Sequence, residues 1–486
     1  MDRRNFLQAS LTVPALAAVG CASPDGPRPM AVPRGDRVLF KGGLLLTMAP
    51  VSKVLRGDLL VEKGKIAAIA PSISAGDAEV IDASDRILMP GFVETHRHTW
   101  QSCLRHLGAN WSAAQYFQFN FFKFGVIFRP EDVYAANLIG RLAALDGGIT
   151  TLLDWSHIQN TPAHADAAVA ALRDAGARSV FAMGWPQAPN PAIWISKSTT
   201  DIPDDIRRVR KQHFSSNEGM VQLAMAGRGP DFAVMDQVAR DLRIARELDI
   251  RTTIHIGFAV AGGIRAMNDA KLLGPDITHV HVRDSTDDEL QMIKDSGGTA
   301  SISPLDEMLR VRWRRGLPPV VRSVQKGLVV SLSCDSESTS AGDMFSIMRS
   351  TLSVGRVEAA NPPDSRPEPQ NFNAANSITT KRLLEMATVD GAKTIGQEMR
   401  IGTLEVGKDA DLLMMQATSL LYYPMQDPVD AIVAAADTSA IDAVFVRGRA
   451  VKMNGRLVDI ALVNRARRLA TESRQYLFDK TGYKPA

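Results

Sequence analysis

The sequence predicts an α/β fold: a TIM-like (β/α)8 barrel with a small β-sandwich domain built from the N- and C-terminal segments. Three observations lead there. Short apolar strands alternate with longer helical stretches over roughly 300 residues. Runs of β character with tight glycine turns stand on both sides of that region. Histidines, only nine in the chain, gather where predicted barrel strands end. Composition agrees. Over 486 residues, 45% hydrophobic content supplies a large core and excludes a disordered chain. A net charge of +3 is too small for its length to mark a nucleic-acid binder. Three cysteines exclude a disulfide framework and a cysteine-rich zinc module.

Residues 1–21 read as an export signal. Arg3-Arg4 precede Asn5-Phe6-Leu7 and an apolar run over 9–20, the pattern of a twin-arginine signal, whose route carries folded proteins. The run ends Ala18-Val19-Gly20-Cys21, which resembles a lipobox with Ala where Leu is usual. Cys21 is therefore the expected lipidation site, and a signal without lipidation is the alternative. The expected location is periplasmic, free or as a membrane-anchored lipoprotein. Contact with the membrane runs only through the anchor, because no later apolar run approaches the roughly 18 residues a span needs. Residues 22–36 are rich in Pro and Gly and read as a flexible tether.

Residues 37–87 carry short β runs at 38–40, 44–48, 58–62, 65–70 and 79–82, split by Gly-Gly and Lys-Gly turns, and predict a small antiparallel sheet. Residues 88–394 form the barrel, with strands predicted at 88–96, 149–154, 179–184, 220–226, 251–256, 277–282, 299–303 and 328–334. Short β runs return at 412–415, 443–447 and 449–452, so 395–458 pairs with 37–87 in one composite β domain. Residues 459–486 read as a closing amphipathic helix and tail. Residues 361–373 are polar and Pro-rich, a plain loop or part of a lid.

His96 and His98 stand two apart at the end of the first barrel strand. Residues i and i+2 share a strand face, so both imidazoles reach one ion. Alone, His-x-His says little. Here His255 ends strand five, His281 strand six and Asp335 strand eight, at the barrel end where sites are built. The set predicts a shared metal site.

At these residues the chain resembles the amidohydrolase superfamily, in its triazine-hydrolase and cytosine-deaminase-like branch. The likeness covers nearly everything after residue 36. It rests on Met89-Pro90-Gly91-Phe92-Val93-Glu94-Thr95-His96-Arg97-His98, on His281 followed by Thr286-Asp287-Asp288-Glu289-Leu290, and on Asp335. It rests also on the tail Ile401-Gly402-Thr403-Leu404-Glu405-Val406-Gly407-Lys408-Asp409-Ala410-Asp411-Leu412, a structural signature. The resemblance implies one divalent ion held by His96, His98, His255 and Asp335, zinc first, with iron or manganese as alternatives. Strand four, 221–225, offers no lysine to bridge a second ion. The implied activity is metal-dependent hydrolysis of a carbon–nitrogen bond other than a peptide bond. The alternative is deamination or dechlorination of an N-heterocycle, and a catalytically silent metal-binding barrel is a third reading. A bound ion lowers the pKa of a water toward neutrality. Asp335 is then the general base and acid, and His281 polarises the water or stabilises the oxyanion. His279 competes with His281, but counting back from Thr286 selects His281 and leaves His279 a structural role. The resemblance also implies a small-molecule substrate, a flat N-heterocycle or an amide, and a homo-oligomer.

One residue departs from the family pattern. Ring deaminases of this branch carry a glutamate three residues after the strand-five histidine, where it protonates a ring nitrogen, and here that position is Phe258. Glu307 or Asp306, at the end of strand seven, is the substitute donor suggested by position, and a solvated or capping acid is the alternative. Trp100, Gln101 and His157 are further candidates for touching substrate, the last with packing or loop capping as its alternative. The aromatic stretch from Tyr116 to Phe128 reads as a pocket wall or as helix and subunit packing. Cys103 and Cys334 read as small buried residues with no base to activate them.

Overall fold

The computed structural model describes residues 30–50, 54–257, 260–309, 317–360 and 377–484. The signal with Cys21, most of the tether, Phe258 and the 361–373 segment lie outside the described residues. No described helix is long and apolar enough to cross a membrane.

The chain opens with β1 (Arg37–Leu46), β2 (Val54–Glu62), β3 (Lys65–Ala70), β4 (Glu79–Asp82) and β5 (Arg86–Pro90). The barrel follows with β6 (Phe92–Arg97), β7 (Ile149–Ser156), β8 (Arg178–Met183) and β9 (Val221–Gly227). It continues with β10 (Thr252–Ile256), β11 (Ile277–His281), β12 (Thr299–Ile302) and β13 (Val330–Leu332). The chain then returns to the first sheet with β14 (Leu412–Gln416), β15 (Ile441–Val446), β16 (Arg449–Met453) and β17 (Arg456–Leu457). That sheet runs β17-β16-β15-β14-β5-β1-β2-β3, and β4 also pairs with β1. Its pairs are antiparallel except β1 with β4 and β5.

Three two-residue turns set the hairpins of this sheet. Lys63-Gly64, Arg447-Gly448 and Asn454-Gly455 all hold positive φ at both residues. That is the type I′ geometry, whose twist matches the strands it joins. Phe40 and Phe445 meet edge-on at 4.9 Å and bring the N- and C-terminal halves into one core.

The apolar run before His96 is shared between two sheets. Residues 88–90 belong to β5, and the barrel strand begins at Phe92. Gly91 makes the transfer. A Cβ there would lie 2.1 Å from Thr150 Oγ1, so only glycine lets the chain pass this close to β7. The Gly91 amide donates to the Asp411 carbonyl at 3.0 Å, tying the passage to the tail. That tail is held by charge. Buried Arg178 at the start of β8 pairs with Asp409 at 2.7 Å and Asp411 at 2.8 Å. The Thr286–Glu289 segment has a local role too: it is a capping box opening the helix Asp287–Asp295.

The eight barrel strands are all parallel, in sequence order. Helices such as Pro130–Asp146 and Met344–Ala360 cover the outside. Between β6, β12 and β13 the interior is filled with small hydroxyls. Thr95 Oγ1 bonds Ser301 Oγ at 2.7 Å and Ser331 Oγ at 2.8 Å, and Ser333 bridges Ser301 and Ser303 at 3.1 and 2.8 Å. Pairing satisfies each of these buried hydroxyls. The closing seam is narrow. Asp335, past the end of β13, donates its amide to the His96 carbonyl at 3.2 Å and accepts from the His98 amide at 2.8 Å.

Candidate metal centre and pocket

His96 and His98 rise from the end of β6, His255 from β10, and Asp335 from the residue run after β13. Their ligand atoms all lie within 4.8 Å of one another. His96 Nε2 is 3.3 Å and His98 Nε2 3.1 Å from Asp335 Oδ1. His255 Nε2 faces His96 Nε2 at 3.2 Å. Burial pushes the His96 imidazole down to about 3 and holds His255 well below the ordinary histidine range, so both rings are neutral. Neutral imidazole nitrogens and one carboxylate oxygen converging at this range form a donor set suited to a divalent cation. The backbone is strained at the same place. His281, Val282 and Asp335 have φ of 76°, 44° and 64°, a region L-residues with a Cβ seldom occupy.

His281, the last residue of β11, stacks on His255 with ring centroids 5.2 Å apart. Its Nε2 lies 4.0 Å from Asp335 Oδ2, and its Nδ1 bonds Glu307 Oε1 at 2.9 Å. Glu307 Oε1 also accepts from the Ser303 amide at 3.0 Å, while Oε2 is buried without a hydrogen-bond partner among the described residues. His279 is fully buried, its Nδ1 on the Thr299 carbonyl at 3.2 Å, and lies off the pocket wall.

Over the cluster opens a pocket. Tyr116, Phe117, Phe121, Trp185 and Phe232 give it aromatic walls, and His157, Arg283, Asp306 and Glu307 supply polar groups. The aromatic stretch splits its duties. Phe119 and Phe124 instead pack on Tyr483 at 5.3 and 5.4 Å, beyond the closing helix Ile460–Thr481. Trp100 and Gln101 are fully buried and do not line the pocket. Trp100 Nε1 donates to His157 Nδ1 at 3.1 Å, and Gln101 Nε2 donates to the Tyr116 hydroxyl at 3.1 Å, so each braces a residue that does.

Sequence reasoning missed Trp185, Phe232 and Arg283. Each sits a few residues beyond a strand's carboxyl end, the position rule that located the histidines. It also missed a buried charge network behind the cluster. Arg97 bonds Glu94 through two nitrogens, at 3.0 and 2.5 Å, and reaches Glu337 at 3.1 Å. Glu94 Oε1 accepts from the Cys334 amide at 3.1 Å, so the network grips both sides of the seam. Burial opposes ionisation of Glu337, but Arg97 and Arg105 outweigh it and hold its carboxyl below the usual range.

Asp154, on β7, is also buried and accepts from the Thr99 amide at 3.2 Å and from Asn137 Nδ2 at 2.8 Å. Burial pushes its carboxyl up to about 7. The folded chain therefore holds a proton that the unfolded chain releases, and stability falls as pH rises from about 4 through 7. Asp154→Asn removes this loss. Asn137 Oδ1, buried without a partner among the described residues, can accept from the new amide once the Asn137 side chain turns over. Urea midpoints across this pH range are expected to slope less in the variant than in the parent, and equal slopes would refute the assignment.

A parallel barrel with three imidazoles and a carboxylate gathered at its strand ends defines a metal-dependent hydrolase. The chain belongs to the amidohydrolase family, which it matches over residues 87–451. It is 26% identical over 432 residues to a 5-methylthioadenosine/S-adenosylhomocysteine deaminase of Symbiobacterium thermophilum, covering 86% of this chain and 93% of that one. It is 23% identical to a 5′-deoxyadenosine deaminase of Methanosarcina mazei, over 87% and 94% of the two chains. Among solved structures it is similar to a zinc-bound adenosine deaminase from Xanthomonas campestris (TM-score 0.75, 21% identity, 90% and 98% covered). It is also similar to an atrazine chlorohydrolase from Arthrobacter aurescens TC1 complexed with zinc (TM-score 0.73, 20% identity, 89% and 100% covered).

Proposed function

We propose that the protein deaminates a flat, aminated N-heterocycle, with a purine carrying an exocyclic amine as the first candidate. His96, His98, His255 and Asp335 hold one divalent ion, zinc by preference. The observation that carries this reading is the convergence of those four groups at the floor of an aromatic-walled pocket. The deaminases among its relatives support the choice of reaction.

A divalent ion held by those four groups would supply a water acidic enough to attack at neutral pH. Asp335 takes the water's proton and returns it to the departing nitrogen. Glu307 accepts from His281 Nδ1–H and so fixes the ring, leaving Nε2 to accept a hydrogen bond from the attacking water and polarise it. Glu307 Oε2, unpartnered among the described residues, gives a proton to a ring nitrogen, the task that Phe258 cannot perform, and the second water proton, lost as the carbonyl forms, replaces it. The aromatic walls hold the ring flat over the floor and keep bulk water out.

The test is ammonia release by zinc-loaded enzyme from aminated purines, pyrimidines, pterins and triazines, with Asp335→Asn as the blank. Ammonia above the blank from at least one ring supports deamination. None from any ring sinks it and turns the search to amides, carbamates and halogenated rings. Glu307→Gln keeps an acceptor for His281 but has no proton to give. It is expected to lower kcat by about a hundredfold or more with metal content unchanged, and full kcat in the folded variant would exclude Glu307 as the acid.

We also propose export by the twin-arginine route and lipid attachment at Cys21, supported by residues 1–21 alone. Cys21→Ala is expected to move the protein from the membrane fraction to the soluble periplasm. Equal partition of the two forms would refute the anchor.

A further inference from the structure

His157 follows β7 directly and is 2% exposed. Its ring stacks on His98 at 4.3 Å and meets Phe121, Trp155 and Trp185 edge-on at 4.9, 4.9 and 5.5 Å. Such packing on four sides leaves the ring no freedom to swing. Its hydrogen bond then determines which nitrogen carries the proton. An indole N–H only donates. Trp100 Nε1–H points at His157 Nδ1 from 3.1 Å, so Nδ1 must present its lone pair and the ring proton sits on Nε2. The hydrogen bonds His157 makes among the described residues run through Nδ1 and its carbonyl, not Nε2, and His157 lines the pocket beside His98 and His255.

We propose that His157 is a specificity-determining residue. Locked by Trp100, it offers a permanent Nε2–H donor to a ring nitrogen, or a carbonyl oxygen in the same place, of the heterocycle bound over the metal centre. This rests on the reading of the pocket as a site for a flat N-heterocycle. Its chemical consequence is a choice among rings. An acceptor atom facing β7 is favoured, whereas a C–H or N–H there leaves a buried donor unpaired and is rejected. Trp100 makes no contact with substrate and acts through His157, as a positioning residue.

Two measurements test it. The first needs no substrate. In protein labelled with ¹⁵N-histidine, long-range ¹H–¹⁵N spectra report which ring nitrogen bears the proton, and His157→Gln assigns the signal by its loss. The Nε2–H form is expected in the parent, and a mixture with Nδ1–H is expected in Trp100→Phe. An Nδ1–H ring in the parent, or no change in Trp100→Phe, overturns the proposal. The second is calorimetric titration of zinc-loaded enzyme with 1-, 3- and 7-deazaadenosine, each lacking one ring acceptor. At least one of the three is expected to bind roughly tenfold or more weakly than the best of them. In His157→Phe, which fits an aromatic surround, one such loss is expected to disappear with the metal retained, while any loss set by the acid at Glu307 remains, and His157→Gln, which keeps an N–H, is expected to restore part of it. Equal binding of all three by the parent, or a ranking unchanged in His157→Phe, overturns the proposal. Binding of none of them would count against the purine reading of the pocket, and the ring-proton measurement would then decide the role of His157.

Discussion

Replacing His96 with alanine is expected to cost the protein its divalent ion and its activity together. His96 Nε2 is the central donor of the cluster, 3.3 Å from Asp335 Oδ1 and 3.2 Å from His255 Nε2. Without it, two imidazoles and one carboxylate remain, too few to hold an ion firmly and leave a water position open. Metal analysis after gel filtration should fall from about one ion per chain to near zero. Activity on whichever substrate the ammonia screen identifies should fall by at least about a thousandfold. A variant that keeps full metal content would remove His96 from the ligand set. Adding excess zinc should restore little, because a donor is missing rather than unfilled.

The second large effect falls on stability. Arg97→Met is expected to destabilise the fold by about 3–5 kcal/mol. The Arg97 guanidinium is fully buried and faces Glu94 and Glu337, both also buried. Methionine fills much of the same volume but leaves Glu94 without a counter-charge and Glu337 with Arg105 alone. Both carboxylates must then bear desolvation unaided or take up protons. The double variant Glu94→Gln/Arg97→Met removes one of the stranded charges and is expected to regain part of the loss. Urea denaturation of the three proteins measures this. A single variant within 1 kcal/mol of the parent would show that the network contributes nothing net, as some buried ion pairs do.

The barrel and its metal ligands were legible in the sequence for one reason. Sites of this kind stand at strand ends, so His96, His98, His255, His281 and Asp335 could be found by combining residue type with strand position. Other features depend on partners distant in the chain. Trp100 and His157 stand 57 residues apart, and nothing local in either marks the bond between them. The Arg97 network joins residue 97 to residue 337, and its sequence trace, Glu94-Thr95-His96-Arg97, is hidden beneath the more conspicuous histidines. The passage from β5 to β6 was obscured for a different reason. Residues 87–93 are continuously apolar but for Pro90 and Gly91, so polarity gives no sign that two sheets share the run. The aromatic stretch could not be divided by periodicity either, because residues 117–124 wind as a π-helix, whose spacing differs from the α-helical one.

The narrow seam at Asp335 carries a further consequence. The last strand joins the first through the backbone of Asp335, His96 and His98, the same three residues whose side chains converge on the centre. Rounding the cylinder and assembling the reactive centre are thus one event. A nascent chain that has not brought its eighth strand home lacks the Asp335 ligand, and an ion once seated pins the joint between the last strand and the first. On the proposed export route, which carries only folded cargo, acquiring the cofactor and becoming fit to leave the cytoplasm would coincide.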